Sequence, residues 1–183
     1  MLVGTGGCGQ AEFHRAGPTS GDVFREYSWT PARWQRVTWP GVEDPRARAF
    51  LPNAVNKITL DDLDSATRVE ICVEVLLCHA GTVGKQLRVN GGPWIDIPES
   101  PHIPGKRGRG GEGTTYQSMR YPVVKVPLDQ LKQGENTLEF TCAPGSGLGK
   151  WWPQWIVYGA TFRVYYGQEK PHPTGRITSP TAG

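Results

Sequence analysis

The sequence predicts an all-β fold, an antiparallel β-sandwich of the jelly-roll kind. Three observations carry this. Apolar and polar residues alternate in short runs, most clearly in TRVEICVEVLLC at 67–78 and QWIVYGATFRVYY at 154–166. Glycine and proline number 24 and 16 in 183 residues, well above their ordinary ~7% and ~5%, so turns are frequent. No segment repeats at the roughly 3.6-residue period of a long amphipathic helix, which removes the crossover helices that a parallel α/β core needs.

The elements follow in order. Residues 1–21 are glycine-rich and read as a flexible N-terminal segment; 22–167 read as the sandwich domain. In VFREYSWTPARWQRVTWPG, Trp29, Trp34 and Trp39 recur every five residues, a spacing that suits neither a helix nor a strand face. Pro31 and Pro40 break this stretch, which leaves one or two strands, the better one in RWQRVTW. A short strand follows at Lys57–Leu60, then a connection carrying Asp61, Asp62 and Asp64. Such a cluster reads as turns and caps before it reads as a calcium site. In 67–78, Val69, Ile71, Val73, Val75 and Leu77 share one face. QLRVN-GG-PWIDI, 86–97, reads as a hairpin around Asn90-Gly91-Gly92, residues that accept positive φ. Residues 98–114 form a long polar loop, and 115–128 return to strand. A turn and a strand at Thr137–Cys142 come next, then the loop APGSGLGKWWP and the last strand. Read straight through, that strand places Ile156, Tyr158, Ala160, Phe162, Val164 and Tyr166 on one face. The tail, 168–183, is linker-like and suggests excision from a longer polypeptide.

Bulk properties narrow the function. Hydrophobic residues make up 37% and the mean hydropathy is −0.45, with no apolar run near the ~20 residues of a spanning helix, so no membrane partner is expected. The net charge of +3 is small and dispersed, so no nucleic-acid partner is expected either. The basic run GKRGRGG at 105–111 reads as a solvated loop rather than as a contact for an anionic polymer. The N-terminus is not a complete signal peptide; the tail of a trimmed leader and a plain chain start both fit it. Cys8, Cys72, Cys78 and Cys142 lack the spacing of a zinc site. Cys72 and Cys78 lie ~20 Å apart along one strand at ~3.3 Å per residue and cannot bridge each other. A bridge to Cys142 or Cys8 and free buried thiols both remain open.

Three stretches, LRVNGGPWIDIP, YPVVKVPLDQLKQGENTLEF and WIVYGATFRVYY, resemble the galactose-binding-domain-like β-sandwiches. The likeness covers about 66–166 and includes a Leu-x-x-Gly-x-Asn-x-Leu pattern at Leu131, Gly134, Asn136 and Leu138. It implies a non-catalytic carbohydrate-binding module of a larger protein, extracellular or at the cell surface, with a polysaccharide or oligosaccharide as partner. Other members of that family are structural spacers or bind peptides and lipids. Many hold a structural calcium; this chain shows no calcium motif, and no cofactor is expected.

The candidate site is KWWPQW, where Trp151, Trp152 and Trp155 fall within five positions. An indole face matches the flat C–H patch of a sugar ring and loses little rotamer entropy on binding. Read as extended chain, Trp151 and Trp152 point to opposite sides and Trp155 returns to the side of Trp151. Core packing is the competing reading, strongest for Trp155. Tyr116, Gln117 and Arg120 after the long loop, and Trp94 beside the hairpin turn, complete the candidate binding set. For an enzyme, no serine has GxSxG surroundings. A polysaccharide hydrolase or lyase would draw on Glu70, Glu74, Glu139, Glu99 or Glu112, if two of them converged. No catalytic residue is assigned, and a spacer without a glycan ligand is the other alternative.

Overall fold

A computed structural model of the chain describes residues 17–77, 79, 81–99 and 119–172. Two antiparallel sheets pack face to face. The first is built on β4 (Ala66–Leu77) and β10 (Gln154–Tyr166), paired along their whole length from Trp155↔Leu77 to Tyr166↔Ala66. β1 (Val23–Trp29) and β2 (Gln35–Thr38) share the free side of β10, and β7 (Met119–Arg120) and β8 (Val123–Val126) share the free side of β4. The second sheet runs β3 (Val55–Leu60), β9 (Gly134–Ala143), β5 (Val83–Val89), β6 (Ile95–Asp96). The fold class is the one the sequence predicts.

Between the sheets lies one apolar core. Val69, Ile71, Val73 and Val75 of β4 meet Leu87 and Val89 of β5 and Leu138 and Phe140 of β9. Period-two alternation therefore holds in β4 as read. It fails in β10. Pairing steps from Val157↔Val75 to Gly159↔Glu74, so Tyr158 is the extra residue of a β-bulge. On one side of the bulge Ala160, Phe162 and Val164 face the core; on the other, Trp155 and Val157 do. Uninterrupted alternation assigns Ile156 and Tyr158 to that face instead.

Local chemistry explains the other boundaries. The hairpin of β5 and β6 pairs at Gln86↔Asp96 and Leu87↔Ile95, while the other edge of β5 pairs with β9. Asn90 and Gly91 take φ of 52° and 68°, as the turn requires. Pro122 divides the expected strand at 115–128 into β7 and β8, and its carbonyl accepts from the Val73 amide at 2.9 Å. Fully buried Asn136 supports the turn into β9. Its Oδ1 accepts from the Lys132 amide and from Asn90 Nδ2, and its Nδ2 donates to the carbonyls of Lys132 and Gly134. Two four-residue helices, α1 (Pro45–Arg48) and α2 (Leu148–Trp151), lie in stretches that read as irregular. Past β10, Gln168 bonds the Gly21 carbonyl and Lys170 pairs with Asp62 at 2.7 Å, so the start of the linker-like tail lies along the sandwich.

Candidate functional site

The glycine-rich loop before KWWPQW is where two backbones touch. A Cβ at Gly145 would sit 1.8 Å from the Gly81 carbonyl oxygen, and one at Gly149 would sit 2.3 Å from the Thr82 nitrogen. Only glycine allows that approach. The Ser146 amide donates to the Gly81 carbonyl at 3.1 Å and closes the clasp. The chain then forms α2, so Trp151 sits on a helical turn rather than on extended chain. Thr82 fixes the restart: its hydroxyl accepts from the Gln154 amide and donates to the Gln154 carbonyl, both at 3.1 Å.

This frame separates the three tryptophans. Trp151 is 68% exposed, with Lys150 Nζ 5.1 Å from its ring centroid. Trp152 is half-buried, with the Arg46 guanidinium 4.7 Å from its ring centroid and the His79 ring meeting it edge-on at 5.2 Å. Trp155 is fully buried, and its indole N–H donates to the Thr141 carbonyl at 3.3 Å. Its expected place in the binding set is thereby corrected: the Tyr158 bulge turns it into the core, edge-on to Phe140.

Both ring nitrogens of His79 have partners. Its Nδ1 lies 2.5 Å from the Trp152 carbonyl, which can only accept, and its Nε2 lies 3.0 Å from Gln154 Nε2. That pattern calls for the proton on Nδ1 and a free lone pair on Nε2. Burial pushes the imidazole below its ordinary value, the Arg36 charge pushes the same way, and the Trp152 carbonyl opposes.

Trp151 forms one side of a groove of about 470 Å³; Trp39, Glu43, Asp44 and Lys150 line the rest. Trp39 lies on Gly41, where a Cβ would come within 2.6 Å of the indole, and its amide reaches the Pro153 carbonyl at 3.5 Å. Asp44 caps α1 by accepting from the Arg46 amide at 2.9 Å. Hydrogen bonds from the Arg46 side chain hold its carboxyl down at about 2.

A second groove, of about 550 Å³, opens on the outer face of the second sheet. Arg88 and Glu139 alternate with the buried Leu87, Val89, Leu138 and Phe140, so both face away from the core. Trp94, 39% exposed, lines it together with Arg48, Pro52 and Asn53. Asn53 is held in place by accepting from the Thr38 amide and donating to the Thr38 and Phe140 carbonyls. The 39–53 segment thus lines both grooves.

Arg120 lies on β7 opposite Val75 and lines neither groove. Tyr116 and Gln117 lie outside the described residues, as do Cys8, Cys78 and Glu112. Sequence reading weighs Trp34 and Trp39 as core against a second aromatic surface, with core preferred, and does not single out Glu43, Asp44, Arg48 or Arg88. Strand phase marks Arg88 and Glu139 as outward-facing; Glu43 and Asp44 precede the short α1 and Arg48 ends it, in a stretch with no such signal.

Cys72 and Cys142 are both free thiols. Among the described residues no group of three or more His, Cys, Asp or Glu is arranged to hold a metal ion. Asp61 is engaged by the Tyr27 hydroxyl at 2.6 Å and by Arg25, and Asp62 by Arg25 and Lys170. Three of the carboxylates considered for catalysis are tied to separate partners: Glu70 to Tyr165, Glu99 to Lys85, Glu139 to Arg88. Among the described residues no helix is long and apolar enough to cross a membrane.

No family model matches the chain, and no curated protein does. Among solved structures it is similar to a glycoside hydrolase family 86 protein, BuGH86, in complex with neoagarooctaose, at 17% identity and a TM-score of 0.47. That match covers 78% of this chain and 18% of the other, so the chain spans about a fifth of that protein. It is also similar to CBM35 from Cellvibrio japonicus Abf62, at 9% identity and a TM-score of 0.44, over 78% of this chain and 99% of that one. A structure of infectious bursal disease virus, Gt strain, matches at 15% identity and a TM-score of 0.38, over 81% of this chain and 33% of the other.

Proposed function

We propose that the chain is a non-catalytic carbohydrate-binding module. It holds a polysaccharide outside the cell or at its surface as part of a larger polypeptide. The observation that carries this is Trp151, two-thirds exposed beyond a glycine clasp, on the lining of a groove that a second indole, Trp39, also lines. Two indoles with carboxylates and an ammonium between them suit a sugar ring, which offers apolar C–H faces and a rim of hydroxyls. Trp39, Trp151 and Lys150 hold the ring, and Glu43 and Asp44 accept from its hydroxyls.

The test is affinity electrophoresis of the isolated chain on a panel of polysaccharide gels, with Trp151→Ala beside it. Retention on at least one glycan is expected, weakened about tenfold or more in the variant, which is about 1.4 kcal/mol, with an unchanged Tm. Retention on no glycan by a well-folded chain supports a spacer instead. Release of reducing ends or unsaturated products supports an enzyme.

A further inference from the structure

We propose that the Trp94 groove is a second saccharide site, selective for a sugar unit that carries an acidic substituent, a carboxylate or a sulfate ester. The proposal rests on the carbohydrate reading for its ligand class, but not on the Trp151 groove.

The first argument is the platform. The Arg88 guanidinium lies 4.5 Å from the Trp94 ring centroid, and Arg88 is itself held by two hydrogen bonds that it donates to Glu139, at 3.0 and 2.7 Å. Trp94 is thus backed on one side yet remains 39% exposed on the groove. A supported indole with open area is the form in which a ring stacks at low entropic cost.

The second argument is charge. Arg88 and Glu139 cancel each other on the groove floor. Arg48, on the same lining, has no side-chain hydrogen bond, ion pair or ring contact among the described residues, and it is exposed. It is the one uncancelled charge on that lining. A guanidinium presents paired N–H donors that match a carboxylate or a sulfate and does not lose its charge at any working pH. The Trp151 groove has no such spare cation: Asp44 is paired with Arg46 at 2.7 Å, and Lys150 stands against Glu43 on the same lining. The two grooves therefore take different units, a neutral one beside Trp151 and an acidic one beside Trp94.

The experiment measures affinity for two matched pairs of polymers on the full chain: polygalacturonate against its methyl ester, and a sulfated galactan against the same galactan desulfated. Wild type is expected to prefer the acidic member of at least one pair by about tenfold, and to lose most of that preference in high salt. The pair that responds identifies carboxylate or sulfate. Arg48→Ala is expected to abolish the preference with an unchanged Tm, and Arg48→Lys to keep part of it. Trp151→Ala is expected to leave the preference intact, which separates this site from the first. No preference in either pair, or a preference that survives Arg48→Ala in a folded variant, overturns the proposal. Loss of the acidic preference in Trp151→Ala but not in Arg48→Ala moves the acidic site to the other groove and also overturns it.

Discussion

Arg88 and Glu139 stand opposite each other on neighbouring strands and share two hydrogen bonds, from Nε to Oε1 at 3.0 Å and from Nη2 to Oε2 at 2.7 Å. Both are more than two-thirds shielded from water, so the pair lies between an exposed ion pair and a buried one. Glu139→Gln should lower stability by about 1–2 kcal/mol in urea unfolding. It should also free Arg88 from its place against Trp94, raising collisional quenching of indole fluorescence. Unaltered quenching would mean that Trp94 is held by something else.

The two ends of KWWPQW should separate cleanly in stability. Trp155→Ala empties a filled core position and should cost about 3–5 kcal/mol. Trp151→Ala removes a solvated ring and should stay within about 0.5 kcal/mol of wild type. Equilibrium denaturation of both variants decides the matter; similar losses in the two would contradict the inward turn at Tyr158.

Acid should weaken the fold through His79. Its folded value lies below the ordinary ~6.5, so the unfolded chain takes up the proton first and stability falls as pH drops below that value. His79→Gln should flatten the Tm profile between about pH 7.5 and about pH 5.5. Equal slopes in variant and wild type would assign the acid sensitivity elsewhere.

Burial pushes the Cys142 thiol up to about 12, against the opposing charge of Lys85. At pH 8 almost none of it is thiolate, and the side chain is shielded inside the sandwich. The peptide bearing Cys142 should remain unalkylated in the native protein and label fully after denaturation. Mass spectrometry of the digest reads this directly.

Asn136 fills its hydrogen-bonding capacity with four bonds to three residues from a position without solvent. Asn136→Ala would take the partner from the Lys132 amide, the Asn90 side chain and the Lys132 and Gly134 carbonyls, and should cost about 1–3 kcal/mol. A loss under 1 kcal/mol, roughly the value of one ordinary hydrogen bond, would show that water replaces the amide.

The strands were legible because burial of one sheet face forces period-two alternation, as in β4, where every second residue from Val69 to Val75 is in the core. Asn136 was legible because its turn is local. The bulge at Tyr158 was not, since it depends on how β10 meets β4 across about 80 residues of sequence. The clasp of Gly81 with Gly145 and Gly149 hid behind the ordinary look of a loop, although the glycines themselves were plain to see. Arg88, Glu139 and Trp94 needed strand register before they could be placed together. Trp151 was the residue of the site that composition alone could point to: two bulky indoles in a glycine-rich loop leave little room to bury both.

The ribbon from Trp39 to Asn53 serves as a party wall, with Trp39 and Asp44 looking into one chamber and Arg48 and Pro52 into its neighbour. Lengthening or trimming it by a residue would remodel both chambers in one stroke. Retargeting this protein to a new polymer by grafting that ribbon would therefore exchange a pair of preferences together, whereas changing one alone calls for point replacements on the far banks, at Trp151 or at Trp94.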